Sequence, residues 1–388
     1  FVLSVRNPDR IMCSYGNNEP PDRVEVYYTR SIFNLTWITG KLNGLLYKLL
    51  SIFGIELKRS LVFDLFCIPD QFIGWIPLTL IKAISVIKNN DIDLIYVSCK
   101  PFSSAIIGVI LKILTGKKLI LDFRDPTTPL MMRDYEYWKK LPKFYITKWT
   151  EKFCLKYTDM FIVVTEETKD LYLYYFPFLK DRIYVIYNGF MEDFFDIDVR
   201  DSRSFMITYI GDFYQNYVSP EPFFKGMHSV FSQRKDLADK IKFLYVGNIE
   251  KWILRMTDKY ELSDNVILTG HVSRSEAIKY LMRSSILLLR IVPGMISTKL
   301  FEGLACGIPL LATIEKGETE ELIRRYSSAE FYIVRPEDDK GISNAVIDSY
   351  MKWSTGSLPK AINRSFYKDF SKKNLTRKFS HLLDQLAE

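Results

Sequence analysis

Short apolar runs rich in valine and isoleucine alternate with helix-length segments along the whole chain, which limits the possible folds more than any other feature. Such runs are typical of parallel strands covered by helices on both faces. The first series of predicted strands is Val2–Val5, Val24–Tyr28, Leu94–Ser98, Leu119–Phe123, Met160–Thr165 and Ile183–Tyr187. The second series is Met206–Ile210, Lys242–Val246, Val266–Thr269, Ile286–Leu289, Ile308–Ala312 and Phe331–Val334. Two series predict an α/β protein with two doubly wound domains.

The two series are separated by the turn signal Asn188-Gly189 and by the polar stretch Glu192–Arg203, where we place the linker. The predicted domains are residues 1–195 and residues 204–352. Helices follow at residues 353–388, and we expect them to pack back toward the N-terminal domain. Ligands of such folds bind beyond the carboxyl ends of the strands. We therefore expect the ligand site in a cleft between the domains.

Charge and cysteine content exclude several classes of protein. The net charge of +7 is spread along the chain, which does not indicate nucleic-acid binding but fits an anionic substrate or an anionic membrane surface. The five cysteines form no Cys-x-x-Cys pair, so neither a zinc site nor a disulfide framework is expected.

No segment has the roughly 20 uninterrupted apolar residues of a membrane span. We expect a cytoplasmic protein, with the inner face of the membrane as a further option.

The segment Ser297–Thr313 carries the most specific chemistry. It predicts a helix that is opened by hydroxyl residues, closed by Gly307 and followed by a buried strand. Lys299 and Glu302 share one face of this helix. A helix N-terminus with a lysine attracts phosphate, and a carboxylate one turn later can accept both hydroxyls of a ribose. The segment predicts a site for a nucleoside diphosphate; a solvated Lys299–Glu302 ion pair is the alternative.

Two other patterns have competing interpretations. The apolar stretch Tyr47–Ile52 could rest on a membrane surface, or it could belong to an ordinary helix that faces the core. The strings Asp91-Ile-Asp93 and Asp196-Ile-Asp198 invite a metal-dependent interpretation. The first string lies at the amino end of a strand and so points away from the expected cleft, and the second lies in the linker. We predict no metal site.

Seven short motifs follow one another in a fixed order and cover nearly the whole chain. They are Asp122–Pro126, Val163–Thr165, Ile186–Phe190, Tyr209–Gly211, Tyr245–Gly247, Thr269–Val272 and Ser297–Pro309. The ordered set resembles the family 4 glycosyltransferases, and in particular the subset with an Arg-Asp-Pro signature in the N-terminal domain. The resemblance implies the GT-B fold, in which two Rossmann-like domains face a cleft. It also implies that Phe1–Val5 is the second strand of the N-terminal sheet and that the first strand is missing from this chain.

The resemblance implies that the C-terminal domain binds a nucleotide-diphosphate sugar as co-substrate, with no cofactor. Glu302 then takes the ribose-binding position, and the loop Gly270–Val272 frames the base. The other residues implied at the donor are Gly211, Gly247, Gly270, His271, Val272, Arg290, Ser297, Thr298, Lys299 and Leu300. The residues implied in catalysis are Arg124, Asp125, Lys299 and Glu302.

On the acceptor side the resemblance implies Ser98, Arg124 and Asp125. Many relatives carry a histidine where this chain has Arg124. Arginine stays protonated and cannot act as a base, but it can hold a phosphate or an anionic acceptor in a bidentate manner. The alternative is a local Arg124–Asp125 ion pair that stiffens the loop.

Two departures from the family pattern affect the donor site. Gly294 occupies the position where many relatives carry a glutamate that contacts the donor sugar. The loop Asp212–Pro222 lacks the arginine that relatives place beside the diphosphate, and the first basic residue after it is Lys225.

The resulting hypothesis is a retaining, metal-independent glycosyltransferase that acts in cell-surface polysaccharide or glycolipid synthesis. Its partners would be the donor, a saccharide or lipid-linked acceptor and an anionic membrane surface, but no nucleic acid. The alternatives are a GT-B sugar-nucleotide epimerase or phosphorylase, and a non-catalytic GT-B subunit of a partner enzyme.

Overall fold

The computed structural model describes residues 1–6, 22–33, 35–53, 61–128, 135–192, 204–214, 218–292 and 294–387. The chain divides into two compact units. The first comprises Phe1–Ile186 together with His381–Glu388, and the second comprises Tyr187–Ser380. The predicted linker, apart from Glu192, lies outside the described residues, as do Asp196, Asp198 and Cys13.

The first unit contains six of the predicted strands. They are β1 (Val2–Val5), β2 (Val26–Thr29), β3 (Leu94–Cys99), β4 (Lys118–Phe123), β5 (Met160–Val163) and β6 (Ile183–Val185). All of their pairings are parallel, with β1 beside β2 in one sheet and the order β3-β4-β5-β6 in a second. Strand β4 is buried from Leu119 onward, as its apolar residues predict, and the buried stretch includes Asp122. The first strand implied by the resemblance stays a prediction.

Helices connect these strands. They are α1 (Leu35–Ser51), α2 (Leu61–Phe66), α3 (Ile76–Asn89), α4 (Ser103–Thr115), α5 (Tyr135–Trp138), α6 (Pro142–Tyr157) and α7 (Glu166–Tyr175). The start of α4 is fixed by Asp70, whose carboxylate accepts hydrogen bonds from the backbone N–H of Ser103 at 2.8 Å and from its hydroxyl at 2.6 Å. This contact satisfies a helix N–H that has no partner within the helix.

The second unit is built on one parallel sheet. Its strands are β7 (Phe205–Ile210), β8 (Ile241–Val246), β9 (Val266–Leu268), β10 (Ile286–Arg290), β11 (Leu310–Thr313) and β12 (Phe331–Val334). Their spatial order is β12-β11-β10-β7-β8-β9. All twelve predicted strands are therefore confirmed, with ends that differ by up to two residues.

Helices cover both faces of this sheet. The helices of this unit are α8 (Glu221–Gln233), α9 (Lys251–Lys259), α10 (Arg274–Arg283), α11 (Thr298–Ala305), α12 (Glu318–Tyr326), α13 (Asp339–Ser354), α14 (Arg364–Phe370) and α15 (Lys372–Ala387), of which the residues from His381 onward belong to the first unit. Successive strand residues alternate between two cores: Leu287 and Leu289 lie in one, and Ile286 and Leu288 lie in the other. The sheet is thus buried on both faces, as predicted.

The helix-to-strand connection after α11 explains why β11 begins later than predicted. The N–H of Ile308 donates to the carbonyl of Gly303 at 3.0 Å, and the N–H of Gly307 donates to the carbonyl of Leu304 at 3.2 Å. This is the Schellman pattern of a helix end. The N–H of Ile308 therefore belongs to the helix cap and Pro309 has none, so the first N–H that this segment gives to the sheet is that of Leu310.

Candidate functional site

The sheet of the second unit has one position where the direction of winding reverses. From β7 the chain proceeds through β8 and β9 on one side, and through β10, β11 and β12 on the other. Because all six strands are parallel, their carboxyl ends lie at one edge. Ligands of doubly wound folds bind at this edge, beside the reversal. Gly211 directly follows β7 and Arg290 ends β10, so both predicted donor residues flank this point.

The loops that follow β7 and β8 are in direct contact. A Cβ atom placed on Gly247 would lie 2.2 Å from the carbonyl oxygen of Gly211, so only glycine allows this approach. Beside it, Oδ1 of Asp212 accepts a hydrogen bond from the N–H of Asn248 at 2.8 Å. The Tyr245 hydroxyl donates to the carbonyl of Asn248 at 2.8 Å. Gly247 thus allows the two loops to approach at the candidate site, and the hydrogen bond from Asn248 to Asp212 joins them.

The predicted base loop follows β9 and faces the same place. Nε2 of His271 lies 3.9 Å from Oδ1 of Asp212, with the imidazole more than half exposed. Val272 packs against the core beneath α11. Gly270 precedes both residues and turns the chain at the strand end. The structure therefore brings Gly211, Gly247 and the loop Gly270–Val272 into one group.

Helix α11 begins as predicted. Oγ of Ser297 accepts a hydrogen bond from the N–H of Lys299 at 3.1 Å, which makes Ser297 the N-cap. The side chain of Thr298 is exposed, whereas that of Leu300 is fully buried in the core. Of the predicted donor residues, Leu300 could therefore meet a ligand only through its backbone, and its N–H already donates to the carbonyl of Ser297 at 3.1 Å.

Glu302 lies one turn into α11 with 5% of its surface exposed. Nζ of Lys299 donates to its Oε2 atom at 2.7 Å, and Nη2 of Arg274 lies 3.8 Å from its Oε1 atom. Lys299 and Glu302 thus form the ion pair that the alternative interpretation predicted. The pair is not solvated, however, because the Glu302 carboxylate is buried. A carboxylate has about four lone-pair sites. Glu302 can hold both cations and still accept hydrogen bonds from a ligand.

Arg274 is a site residue that the sequence patterns did not predict. It is the first residue of α10, directly after the N-cap Ser273. A cation at a helix N-terminus is opposed by the helix dipole, and this unfavourable position is the signal that could have identified it. Lys299 lies in the first turn of α11 in the same way. Two cations at two helix N-termini thus converge on Glu302, an arrangement that favours an anionic ligand.

Arg290 adds a third cation at the end of β10. Its Nη1 atom donates to the carbonyl of Thr313 at 3.3 Å, and its Nε atom is buried without a hydrogen-bond partner. Burial lowers the pKa of this guanidinium, yet an arginine stays protonated. A buried N–H without an acceptor is costly.

The two departures from the family pattern can be located. Gly294 adopts a φ of +69°, a left-handed conformation that is strained for a glutamate. Lys225, the first basic residue after the loop Asp212–Pro222, pairs with Asp339 at 2.9 Å. Residues 215–217 of that loop lie outside the described residues. Among the described residues, Arg274, Lys299 and Arg290 are the cations that lie at the candidate donor elements.

The predicted acceptor residues lie at the carboxyl ends of β3 and β4 in the first unit. Asp122 is 1% exposed, and its Oδ2 atom accepts hydrogen bonds from Nη2 of Arg124 at 2.6 Å and from the Tyr96 hydroxyl. Its Oδ1 atom is buried without a partner. Burial and the nearby Asp122 carboxylate raise the pKa of Tyr96 to about 12, so this phenol stays neutral. Tyr96 is a further candidate residue that the sequence patterns did not single out, and Asp122 opened one of the seven motifs without being given a role.

The alternative of an Arg124–Asp125 ion pair is wrong. Arg124 directly follows β4, and its guanidinium turns back to the Asp122 carboxylate at 2.6 Å. Asp125 lies 3.6 Å from Nζ of Lys100 instead. Ser98 is exposed and lies opposite Asp122 in the register of β3 and β4. The structure thus places Ser98 and Arg124 around Asp122, and Asp125 beside them.

A buried polar link supports the loop that begins at Arg124. The Glu151 carboxylate on α6 accepts hydrogen bonds from the N–H of Thr128 at 3.0 Å and from the Tyr172 hydroxyl on α7 at 2.7 Å. The N–H of Thr127 donates to the same hydroxyl at 3.3 Å. Glu151 and Tyr172 are both fully buried. These two side chains therefore fix the backbone of the loop.

This link predicts a dependence of stability on pH. Burial raises the pKa of Glu151 above its ordinary value of 4.5. The folded protein then binds this proton more tightly than the unfolded chain, so the free energy of unfolding falls as the pH rises from 4.5 through the raised pKa. Replacing Glu151 by glutamine removes the titration. Urea unfolding at acidic and neutral pH should show a flatter pH dependence for this variant.

Two further variants complete the test. Glu151→Ala should lower the free energy of unfolding by about 3 kcal/mol, because two buried donors lose their acceptor at about 1–3 kcal/mol each. Glu166→Gln, at an exposed position on α7, makes the same chemical change outside the buried link and serves as the control. Identical pH dependence in the wild type and Glu151→Gln would contradict the assignment.

Two features bear on the other sequence predictions. Asp91 and Asp93 are exposed just before β3, and the described residues contain no group of three or more histidine, cysteine or acidic side chains arranged to hold a metal ion. None of the described helices is both long and apolar enough to cross a membrane.

Two protein families match the chain. The family described as Glycosyltransferase Family 4 matches residues 54–193, which include Arg124 and Asp125. The family described as Glycosyl transferases group 1 matches residues 204–351, which include Arg290 and Glu302. The two matched ranges thus contain both candidate residue groups.

Individual proteins give a consistent result. The chain is 23% identical to an uncharacterised glycosyltransferase of Methanocaldococcus jannaschii over 314 residues, or 76% of each chain. Sucrose-phosphate synthase of Thermosynechococcus elongatus has a similar structure, with a TM-score of 0.61 and 14% identity over 81% of this chain and 78% of that one. Anabaena HepE in complex with UDP-glucose also has a TM-score of 0.61, with 13% identity over 79% and 82%. The structural similarities confirm the predicted GT-B fold.

Proposed function

Because the chain belongs to the family 4 glycosyltransferases, we propose that it moves a sugar from a nucleotide-diphosphate sugar to a saccharide or lipid-linked acceptor. The anomeric configuration is retained and no metal ion or cofactor takes part. The reaction belongs to cell-surface polysaccharide or glycolipid synthesis in the cytoplasm.

The observation that carries the donor assignment is the convergence of Arg274 and Lys299 on the buried Glu302. Glu302 accepts the two ribose hydroxyls, which a carboxylate can do without giving up its cations. Lys299, Arg274 and Arg290 face the diphosphate, together with the N-terminus of α11. The HepE structure contains UDP-glucose, and this similarity supports a nucleotide-sugar donor here.

In the proposed reaction the bond between the anomeric carbon and the diphosphate oxygen breaks, and the electron pair leaves with the diphosphate. The three cations and the helix N-terminus stabilise this growing charge. An acceptor hydroxyl bonds to the anomeric carbon, and its proton passes to the departing phosphate. Arg124 cannot act as a base because it stays protonated. It serves as a fixed positive charge that orients an acceptor or a phosphate beside Asp122, Asp125 and Ser98.

The donor is tested by measuring thermal unfolding with a panel of uridine, guanosine, adenosine, cytidine and thymidine diphosphate sugars. A ligand at 100 times its dissociation constant stabilises the folded state by about 2.7 kcal/mol. At least one member of the panel should therefore raise the unfolding temperature. No shift with any member at millimolar concentration would contradict the donor site and favour a non-catalytic subunit.

The reaction type is tested by following consumption of the identified donor with and without a saccharide or lipid-linked acceptor. A transferase consumes the donor faster when its acceptor is present and forms a glycosidic product with retained configuration. Conversion of the donor sugar to an epimer without any acceptor would instead identify an epimerase. Addition of a chelator should leave the transferase rate unchanged.

A further inference from the structure

Helix α6 of the first unit carries a regular row of aromatic and lysine side chains on its surface. The row comprises Tyr145, Lys148, Trp149, Lys152, Phe153, Lys156 and Tyr157. Its aromatic residues recur every four positions, so they lie on one side of the helix. Trp149 is 67% exposed, and its ring stacks on Phe153 with centroids 5.7 Å apart. The ring of Phe153 in turn contacts that of Tyr157 at 4.8 Å.

This aromatic–lysine row is not part of the core. The residues of α6 that pack inward are Lys143, Phe144, Thr147, Glu151, Cys154 and Leu155. Tyr145, Trp149 and Tyr157 are each at least 40% exposed. Large aromatic rings gain free energy by leaving water. A row of them on the surface indicates a surface that binds a partner.

The positive charge of the aromatic–lysine row indicates an anionic partner. Lys148, Lys152 and Lys156 contribute three positive charges, and the single acidic residue of α6 is Glu151, which is fully buried. The exposed face of the helix is therefore entirely cationic. An anionic surface complements it.

The neighbouring helices present a similar surface. Helix α2 packs against both α1 and α6, and Nζ of Lys143 on α6 lies 4.8 Å from the ring centroid of Phe63 on α2. The exposed apolar side chains of α1 include Trp37, Leu42, Leu45 and Leu49, each 46% to 60% exposed. Helix α1 carries Lys41 and Lys48 and no acidic residue. One face of α1, with Thr39 buried and Leu46 and Leu50 half-buried, packs inward, while Tyr47, Leu49 and Ile52 are exposed, so neither interpretation of the stretch Tyr47–Ile52 is excluded.

We propose that the aromatic–lysine row of α6, extended by α1, docks the first unit on an anionic lipid bilayer. Tryptophan and tyrosine favour the level of the lipid headgroups, and lysine stems reach past apolar rings to place their charges there. A helix with this composition lies in the plane of the interface. The exposed leucines of α1 favour a bilayer over nucleic acid, because aliphatic side chains offer no platform for stacking bases.

This proposal extends the lipid-linked acceptor of the proposed function, but its test needs neither donor nor turnover. The full chain is mixed with vesicles of phosphatidylcholine alone or of equal parts phosphatidylcholine and phosphatidylglycerol, and flotation measures binding. The protein should float with the anionic vesicles, and high salt should weaken this binding. Replacing Lys148, Lys152 and Lys156 together by alanine should lower the partition coefficient by roughly a hundredfold. Trp149→Ser should lower it by roughly tenfold.

The matched control removes the same charge elsewhere. Lys235, Lys240 and Lys251 are exposed on the second unit, and their joint replacement by alanine should leave flotation unchanged. Thermal unfolding checks that all variants fold. Equal loss of flotation in both triple variants would overturn the proposal, because it would show a response to net charge alone. Failure of the wild type to float with anionic vesicles would also overturn the proposal. Binding of the wild type to single-stranded RNA in that case would identify nucleic acid as the partner instead. Flotation is measured without a nucleotide sugar, so failure to find a donor would not change the flotation results of the wild type or of the variants.

Discussion

Replacing Glu302 by alanine should weaken the binding of the nucleotide sugar by about a hundredfold or more, the largest effect expected of any single side chain in the donor site. The variant loses two hydrogen bonds from ribose hydroxyls to a charged acceptor, at about 1.5–3 kcal/mol each. A loss of about 3 kcal/mol corresponds to roughly a hundredfold in the dissociation constant. Calorimetric titration with the donor identified by thermal unfolding measures this change.

The same variant distinguishes a ribose anchor from a carboxylate that only neutralises cations. Removing Glu302 leaves Lys299 and Arg274 without their buried partner. Inorganic diphosphate contacts the cations but has no ribose, so its affinity should stay equal or rise. If Glu302 only held the cations in place, both the nucleotide sugar and inorganic diphosphate would bind more weakly, and the ribose assignment would be wrong.

The second unit offers a matched control in Glu320 on α12. Its carboxylate also holds two cations, with Nη2 of Arg324 and Nη2 of Arg335 each at 2.9 Å. Its side chain is likewise shielded, with 13% exposed. Glu320→Ala should therefore disturb the fold about as much as Glu302→Ala but leave the donor affinity unchanged. Equal losses of donor affinity in the two variants would indicate a general effect on the unit.

Local patterns were sufficient to predict the strands and the start of the donor helix. An apolar run bounded by turn residues fixes a buried strand, and Ser297 caps α11 through a hydrogen bond to a residue two positions away. The fold of both units follows from these local signals and from the parallel pairing that they demand. Strand β11 starts later than predicted because the N–H of Ile308 donates to the carbonyl of Gly303. This contact is also local, since the two residues are five positions apart.

The missed site residues have partners that are distant in the sequence. Arg274 meets Glu302 only because α10 and α11 begin on the same side of the sheet. Tyr96 reaches Asp122 across two paired strands. A single sequence holds no measure of such distances. The local signals available were the unfavourable position of Arg274 at a helix N-terminus and the apolar surroundings of Asp122.

Gly247→Ala should reduce donor binding through the backbone and should do so strongly. The new Cβ atom would lie 2.2 Å from the carbonyl oxygen of Gly211 and 2.9 Å from the Tyr245 hydroxyl. Backbone cannot yield as a flexible side chain can, so the loops after β7 and β8 must move apart. The hydrogen bond from Asn248 to Asp212 would then be lost, at about 1.5–3 kcal/mol. A displacement of about 1 Å at a site can lower a rate by about a hundredfold.

The adjacent residue supplies the control for this prediction. Asn248 donates to Asp212 through its backbone N–H, so Asn248→Ala keeps that hydrogen bond and adds no atom near Gly211. It should bind and turn over the donor as the wild type does, whereas Gly247→Ala should lose about a hundredfold in kcat/KM. Thermal unfolding without ligand separates a displaced loop from an unfolded unit. A Gly247→Ala variant that keeps full activity would show that the close approach of these loops is not needed to bind the donor.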